Sequence, residues 1–239
     1  NHDFAELLSE MLGELNASHT GARFRPENET GDQTAALGLF YDYDYQGEGL
    51  KVAEVLDKSP VVTDDSKIKA GVVIEKIDGQ AIGAGANPYP LLNRKADKNT
   101  LLSLFDPASK ERWEEVVKPI TLGEESELRY QRWVENCRTA VEALSGGRLG
   151  YVHVRGMNDD SYRTVYEEVL GRPANKEALI VDTRFNGGGW LHDNLATFLS
   201  GQKYVTMMPR GQDLGSEPMS KWYKPSVVLM SESNYSDAH

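Results

Sequence analysis

From Leu149 to Met230 the chain alternates between short apolar runs and amphipathic stretches, and this order leaves few folds open. Leu149-Gly150-Tyr151-Val152-His153-Val154 reads as a strand and Asp159 to Leu170 as a helix. Ala178-Leu179-Ile180-Val181-Asp182 reads as a strand, Trp190 to Leu199 as a helix, and Ser226-Val227-Val228-Leu229-Met230 as a third, buried strand. Strands that recur with a helical stretch between them form a mostly parallel sheet with helices packed on it. In such sheets reactive groups gather in the loops that leave the strand ends.

The 239 residues suffice for one large domain or two to three small ones. Twenty-six basic against 37 acidic residues give a net charge of −11, and no basic stripe with interleaved aromatics appears, so nucleic-acid binding is not expected. No segment approaches the roughly 18 apolar residues of a membrane span. No signal peptide opens the chain. The first residues are Asn1-His2-Asp3 without an initiator methionine, so a longer parent protein is expected and the compartment is not readable, periplasm and cytoplasm both staying open for a soluble chain. The single Cys137 excludes an intramolecular disulfide and a thiolate-cluster metal site; no metal or cofactor is expected.

Upstream, Phe4, Leu7, Leu8, Met11, Leu12 and Leu15 recur at helical spacing, with Asp3 as a candidate cap. Asn16 to Gly21 breaks the pattern as a polar turn, and residues 22–36 read as a loop. Short strands follow at Leu37 to Tyr41 and Gly49 to Val55, then two strands flanking the turn pair Asp78-Gly79. A short helix is expected over Pro88 to Ala96, and strands over Asn99 to Phe105 and Trp113 to Ile120. Glu124 to Leu144 reads as a helix closed by Gly146-Gly147. The fold class is therefore mixed α/β, with an N-terminal helical segment (1–34), a small β domain (35–122), a linker helix (123–147) and a parallel-sheet domain (148–239).

Two loops of the sheet domain carry candidate chemistry. Asp182-Thr183-Arg184-Phe185-Asn186-Gly187-Gly188-Gly189 leaves a strand and enters a helix, exposing backbone N–H groups suited to an anion. The anion is either a phosphate or the oxyanion of an acyl transfer. The spacing departs from the dinucleotide fingerprint, and no Lys-Ser or Lys-Thr follows as a P-loop requires. Ser231 to His239 leaves the third strand and holds Ser236-Asp237. A nucleophilic serine needs a base, normally histidine. Of five histidines, His2 and His239 lie at the chain ends, His153 falls inside a strand and reads as structural, His192 suits a surface or capping role, and His19 lies in a polar turn beside Ser18.

Residues 35–122 resemble a PDZ domain through Leu37-Gly38-Leu39-Phe40, the Ser59-Pro60 turn and Ala70-Gly71-Val72-Val73-Ile74 leading to Ile77-Asp78-Gly79. Many members of that family have Asp where this chain has Val72. This resemblance implies that an extended peptide adds alongside Gly38, Leu39 and Phe40. Met11 to His19, the segment Val181 to Gly189 and the segment Val228 to Asp237 are together similar to the helix-then-Ser-His, D-x-R-x-N-G-G-G and N-E-x-x-x-S-D-G segments of the tricorn proteases, within the wider family of C-terminal processing peptidases. The resemblance spans essentially the whole chain, with a PDZ domain in the same place.

It implies a hydrolase of the serine-protease type, acting on a peptide or an unfolded polypeptide. Ser236 is then the nucleophile, His19 the base, and Ser18 the serine that orients it. The backbone N–H groups of Asp237 and of Gly188 or Gly189 form the oxyanion hole. Ser231 and Ala238 depart from the family's usual Asn and Gly. The family's glutamate comes well after the nucleophile, beyond residue 239, and Glu232 is too near Ser236 to take its place; the isolated chain is expected to be inactive or weakened. Tricorn-like enzymes can form ring assemblies, which leaves a homo-oligomer of the full-length protein open. The alternative reading is a catalytically silent module that binds peptides through its PDZ-like part.

Overall fold

The structure, a computed structural model, describes residues 1–26 and 31–239; part of the loop expected over 22–36 lies outside the described residues. The architecture is mixed α/β. The chain divides into two compact units, one of Asn1–Val55 with Pro60–Leu122, the other of Leu56–Ser59 with Gly123–His239.

The first unit opens with α1 (His2–Gly13). Its N-cap is Asn1, whose side chain accepts from Phe4 N at 3.0 Å, so Asp3 sits inside the first turn instead of capping it. There its charge still favours the positive end of the helix dipole. The apolar stripe of α1 is not buried: Phe4, Leu7 and Met11 are exposed, as is Leu15 beyond the helix.

The strands of this unit are β1 (Ala35–Ala36), β2 (Leu39–Tyr41), β3 (Leu50–Val55), β4 (Val73–Ile77), β5 (Gln80–Ala81), β6 (Thr100–Phe105), β7 (Arg112–Val117) and β8 (Ile120–Thr121). β2-β3-β4-β6-β7 form one antiparallel sheet with β2 at its end; β5 pairs with β4, and β1 with β8. The turn between β4 and β5 puts Asp78 at φ 48° and Gly79 at φ 77°, the paired positive angles of a tight hairpin turn. Strict alternation along β6 buries Thr100, Leu102 and Leu104, and the two leucines pack with Leu37, Val52, Ile74 and Ile77 in the unit's core. The stretch expected as a short helix forms a single 3-10 turn, Tyr89–Leu92; its prolines lie at the start, where they are tolerated, and the turn ends because Asn93 is extended (ψ 130°) and Arg94 has φ 60°.

The second unit contains α2 (Leu122–Leu144, entered from the last residue of the first), β9 (Leu149–His153), α3 (Asp159–Leu170), β10 (Ala178–Asp182), α4 (His192–Leu199), β11 (Val205–Thr206), β12 (Ser216–Glu217) and β13 (Ser226–Leu229). β11 and β12 make a small antiparallel pair, while β10 lies between β9 and β13, parallel to both. The register aligns Asp182 with His153 and with Leu229, so the three strands end together and their following loops share one edge of the sheet. Val152, Val154, Val165, Leu179, Val181, Leu195 and Phe198 form the core against α3 and α4. The third strand departs from the expectation. Val227 and Val228 are 57% and 53% exposed, because among the described residues β10 alone flanks β13 and no helix covers it.

Candidate active site

β10 ends in the buried Asp182, and the chain then turns through Thr183 to Asn186, with Asn186 N donating to Thr183 O at 3.1 Å. Asn186, also fully buried, ties three segments together. Its Nδ2 donates to Val154 O at 2.9 Å, its Oδ1 accepts from Gly188 N at 2.9 Å, and its carbonyl accepts from Tyr235 N at 3.1 Å. The glycine loop and the segment holding Ser236 are thereby fixed to each other by one side chain and its backbone.

Glycine is required in this loop for lack of space as well as for its angles. Gly188 has φ 90°, and a Cβ there would meet Tyr235 O at 2.6 Å, Ser236 Cβ at 2.7 Å and Asp237 N at 3.3 Å. Gly189 has φ 143°, and a Cβ there would lie 2.0 Å from Met157 O. The Gly188 N–H is committed to Asn186, whereas those of Gly189 and Asp237 donate no hydrogen bond among the described residues. Ser236 itself sits at φ 56° at the start of a 3-10 turn, Ser236–Ala238. A positive φ in a non-glycine residue costs about 1–2 kcal/mol.

Asp237 has a second role through its side chain. Oδ2 accepts from Leu191 N at 2.6 Å and His192 N at 3.2 Å, and Oδ1 bonds His192 Nδ1. The Leu191 N–H above all, with the His192 side chain, holds this carboxyl below its ordinary range despite some burial. Asp237 thus supplies the side-chain cap that α4's own N-cap, Leu191, lacks. Sequence reasoning gave His192 a surface or capping role; it is exposed at the start of α4, and the capping side chain is that of Asp237, which sequence reasoning did not reach. It also missed Asn234, which is buried with Nδ2 donating to Thr183 Oγ1 and Ala238 O and Oδ1 accepting from Ser231 N. A buried Asn in a polar loop has no local sequence signature; Asn186 did stand inside a motif.

Beneath the loop lies a polar cluster. Burial alone would raise the Asp182 carboxyl, but bonds from the Arg184 side chain and backbone and from Tyr151 Oη outweigh it and hold the pKa low. His153 is shifted down, chiefly by burial.

Ser18 and His19 belong to the first unit, in the turn after α1. Both are exposed, His19 has φ 63°, and its Nδ1 is hydrogen-bonded to Ser18 Oγ at 2.5 Å. In the same unit Gly38, with φ 65°, leads into Leu39 and Phe40 of β2. No group of three or more metal-ligating side chains occurs among the described residues, and none of their helices is long and apolar enough to cross a membrane.

A three-stranded parallel sheet with a glycine loop and a serine at positive φ side by side on one edge agrees with what the sequence matches. Residues 148–239 match the family described as Peptidase family S41. Nearly the whole chain is similar in sequence to tricorn proteases. It is 31% identical over 98% of its length to "Tricorn protease homolog 1" of Streptomyces coelicolor and 28% identical over 99% to "Tricorn protease" of Thermoplasma acidophilum. It spans 22% of the length of each of these relatives. The fold matches the crystal structure of the tricorn protease with a TM-score of 0.77 and 25% identity, over 94% of this chain and 22% of that one.

Proposed function

We propose that the chain carries the reacting groups of a serine peptidase, with Ser236 as nucleophile and His19 as general base. The observation that carries this reading is the packing of Gly188 against Ser236 and Asp237, which sets the serine beside two uncommitted backbone donors. Ser236 Oγ attacks the peptide carbonyl carbon while His19 takes its proton. The oxyanion that forms accepts from the N–H groups of Asp237 and of one glycine of the 188–189 pair, and Gly189 suits this better because the Gly188 N–H is already used. His19 then protonates the leaving amine, the C–N bond breaks, and water hydrolyses the acyl-serine by the same steps in reverse. Ser18, bonded to Nδ1, orients the ring and assigns proton transfer to Nε2.

In the same reading, residues 35–122 are a PDZ-like domain that docks an extended peptide or unfolded polypeptide along Gly38, Leu39 and Phe40. The position of β2 at the end of its sheet supports this. The proposed limits of the parts are 1–34, 35–122, 123–147 and 148–239.

The test is hydrolysis of a fluorogenic peptide by the full-length protein. Ser236→Ala is expected to abolish turnover and labelling by a serine-directed phosphonate. His19→Ala is expected to lower kcat by on the order of 100- to 10,000-fold, the range for loss of a general base. Undiminished cleavage by Ser236→Ala would sink the proposal.

A further inference from the structure

The turn that opens the glycine loop is held by its central peptide. Phe185 is its third residue and has φ 66°, an angle that a glycine takes freely and a phenylalanine does not. Rotating the Arg184–Phe185 peptide would let Phe185 relax, so something has to hold that peptide. Both of its ends are gripped: His153 Nε2 lies 3.0 Å from the Arg184 carbonyl oxygen, and Phe185 N donates to Ser231 Oγ at 3.2 Å.

The partners determine the state of the imidazole. A carbonyl only accepts, so Nε2 carries the proton and, in the neutral ring, Nδ1 accepts from Tyr130 Oη at 2.8 Å. Trp133 packs edge-on against His153 at 4.8 Å and also contacts Phe185 at 5.9 Å between centroids, which fixes ring and turn from α2. Immediately downstream, Asn186 carries the bonds to Gly188 and Tyr235 that set the glycine loop against Ser236. A rotation at 184–185 would therefore pass directly into the site.

We propose that His153 is a positioning residue, whose Nε2–H locks the Arg184–Phe185 peptide and so keeps the glycine loop in register with Ser236. The proposal rests on the peptidase reading for its effect on catalysis, and on geometry alone for its effect on the loop.

The experiment uses the full-length protein. His153→Ala is expected to lower kcat about ten- to a hundredfold with KM nearly unchanged, the scale for misplacing a catalytic group by about 1 Å. Amide exchange at Gly188, whose N–H is bonded to Asn186, is expected to speed up about tenfold, the loss of roughly one hydrogen bond, while the amides of β10 stay as they were. His153→Gln keeps an N–H donor within reach of the carbonyl and should restore kcat to within about threefold of the parent. Combining His153→Ala with Phe185→Gly should also recover activity, because glycine holds the positive angle unaided. A histidine that merely fills the core would not be rescued by that second change. If His153→Ala fails to fold, the His153→Gln kcat and the exchange data on that variant decide. Unchanged kcat and unchanged exchange in a folded His153→Ala protein would overturn the proposal. If the parent protein hydrolyses no peptide, the peptidase reading falls, and exchange at Gly188 alone supports or overturns the role of His153.

Discussion

Three adjacent glycines have different obligations. Gly187 has open space where a Cβ would stand and no positive φ, while Gly188 faces the backbone of Tyr235 at 2.6 Å and Gly189 that of Met157 at 2.0 Å. Neither neighbour is a flexible side-chain end that could move aside. Gly187→Ala is therefore expected to leave peptide hydrolysis within a few-fold of the parent. Gly188→Ala should cost about 1–2 kcal/mol through its backbone angle and lower kcat about a hundredfold by displacing Ser236. Denaturant midpoints and kcat measured on both variants check this, and equal behaviour of the two would contradict it. The G-G-G triplet marked a candidate anion site in the sequence, but which glycine has room depended on Met157 and on Tyr235 and Ser236, far along the chain.

At the scale of elements, the second unit depends on helices closing one face of a narrow sheet. Phe198 of α4 is fully buried and meets Tyr166 of α3 at 5.3 Å and Tyr162 at 6.2 Å between ring centroids. Phe198→Ala should destabilise this unit by about 3–5 kcal/mol, whereas Val227→Thr on the exposed β13 should change stability by no more than about 0.5 kcal/mol. Urea unfolding monitored in both variants tests the contrast. Most of the elements were legible, because period-2 and period-3.6 apolar patterns record which local geometry buries a face. Their burial was less so. The apolar runs of β13 and α1 have the composition of core segments, yet Val228 is 53% and Met11 61% exposed. A pattern states that a face is apolar without naming what covers it.

For the molecule as a whole, pH acts in one direction. The carboxylates of Asp42, Asp78, Asp106, Glu142, Asp182 and Asp237 are held below their ordinary values. His153 is also shifted down from 6.5, with burial the main cause. Tyr130 on α2, Arg155 after β9, Asp182 at the end of β10 and Arg184 just beyond it face its ring, with Glu127 paired to Arg155. A group whose folded pKa is depressed stabilises the fold above its unfolded pKa, since below that value the unfolded chain takes up the proton more readily. Stability should thus fall in two stages on acidification. The first begins near pH 6.5 and continues down through the lowered His153 pKa; the second begins near pH 4, as the carboxylates reach their ordinary range. Thermal melts across pH 3 to 8 should show a plateau above about 7, and His153→Gln should remove the first stage.

The sequence by itself determined the local geometry: the strand and helix order, the glycine-rich turn, and the three segments whose likeness to tricorn proteases pointed to peptidase chemistry. The element order and the turn follow from residue spacing and from the angles that Gly, Pro and Asx residues allow; the peptidase chemistry is what the resemblance implies. The tertiary structure alone decided that Asn186 binds the glycine loop to the serine segment, that Asp237 caps α4, that His153 grips the Arg184 carbonyl, and that β13 is exposed. The first three join residues distant in sequence, and the last depends on what packs beside a strand. A hydrogen bond between such residues has no period and no neighbouring signal, and exists only once the parallel register has brought the strand ends together.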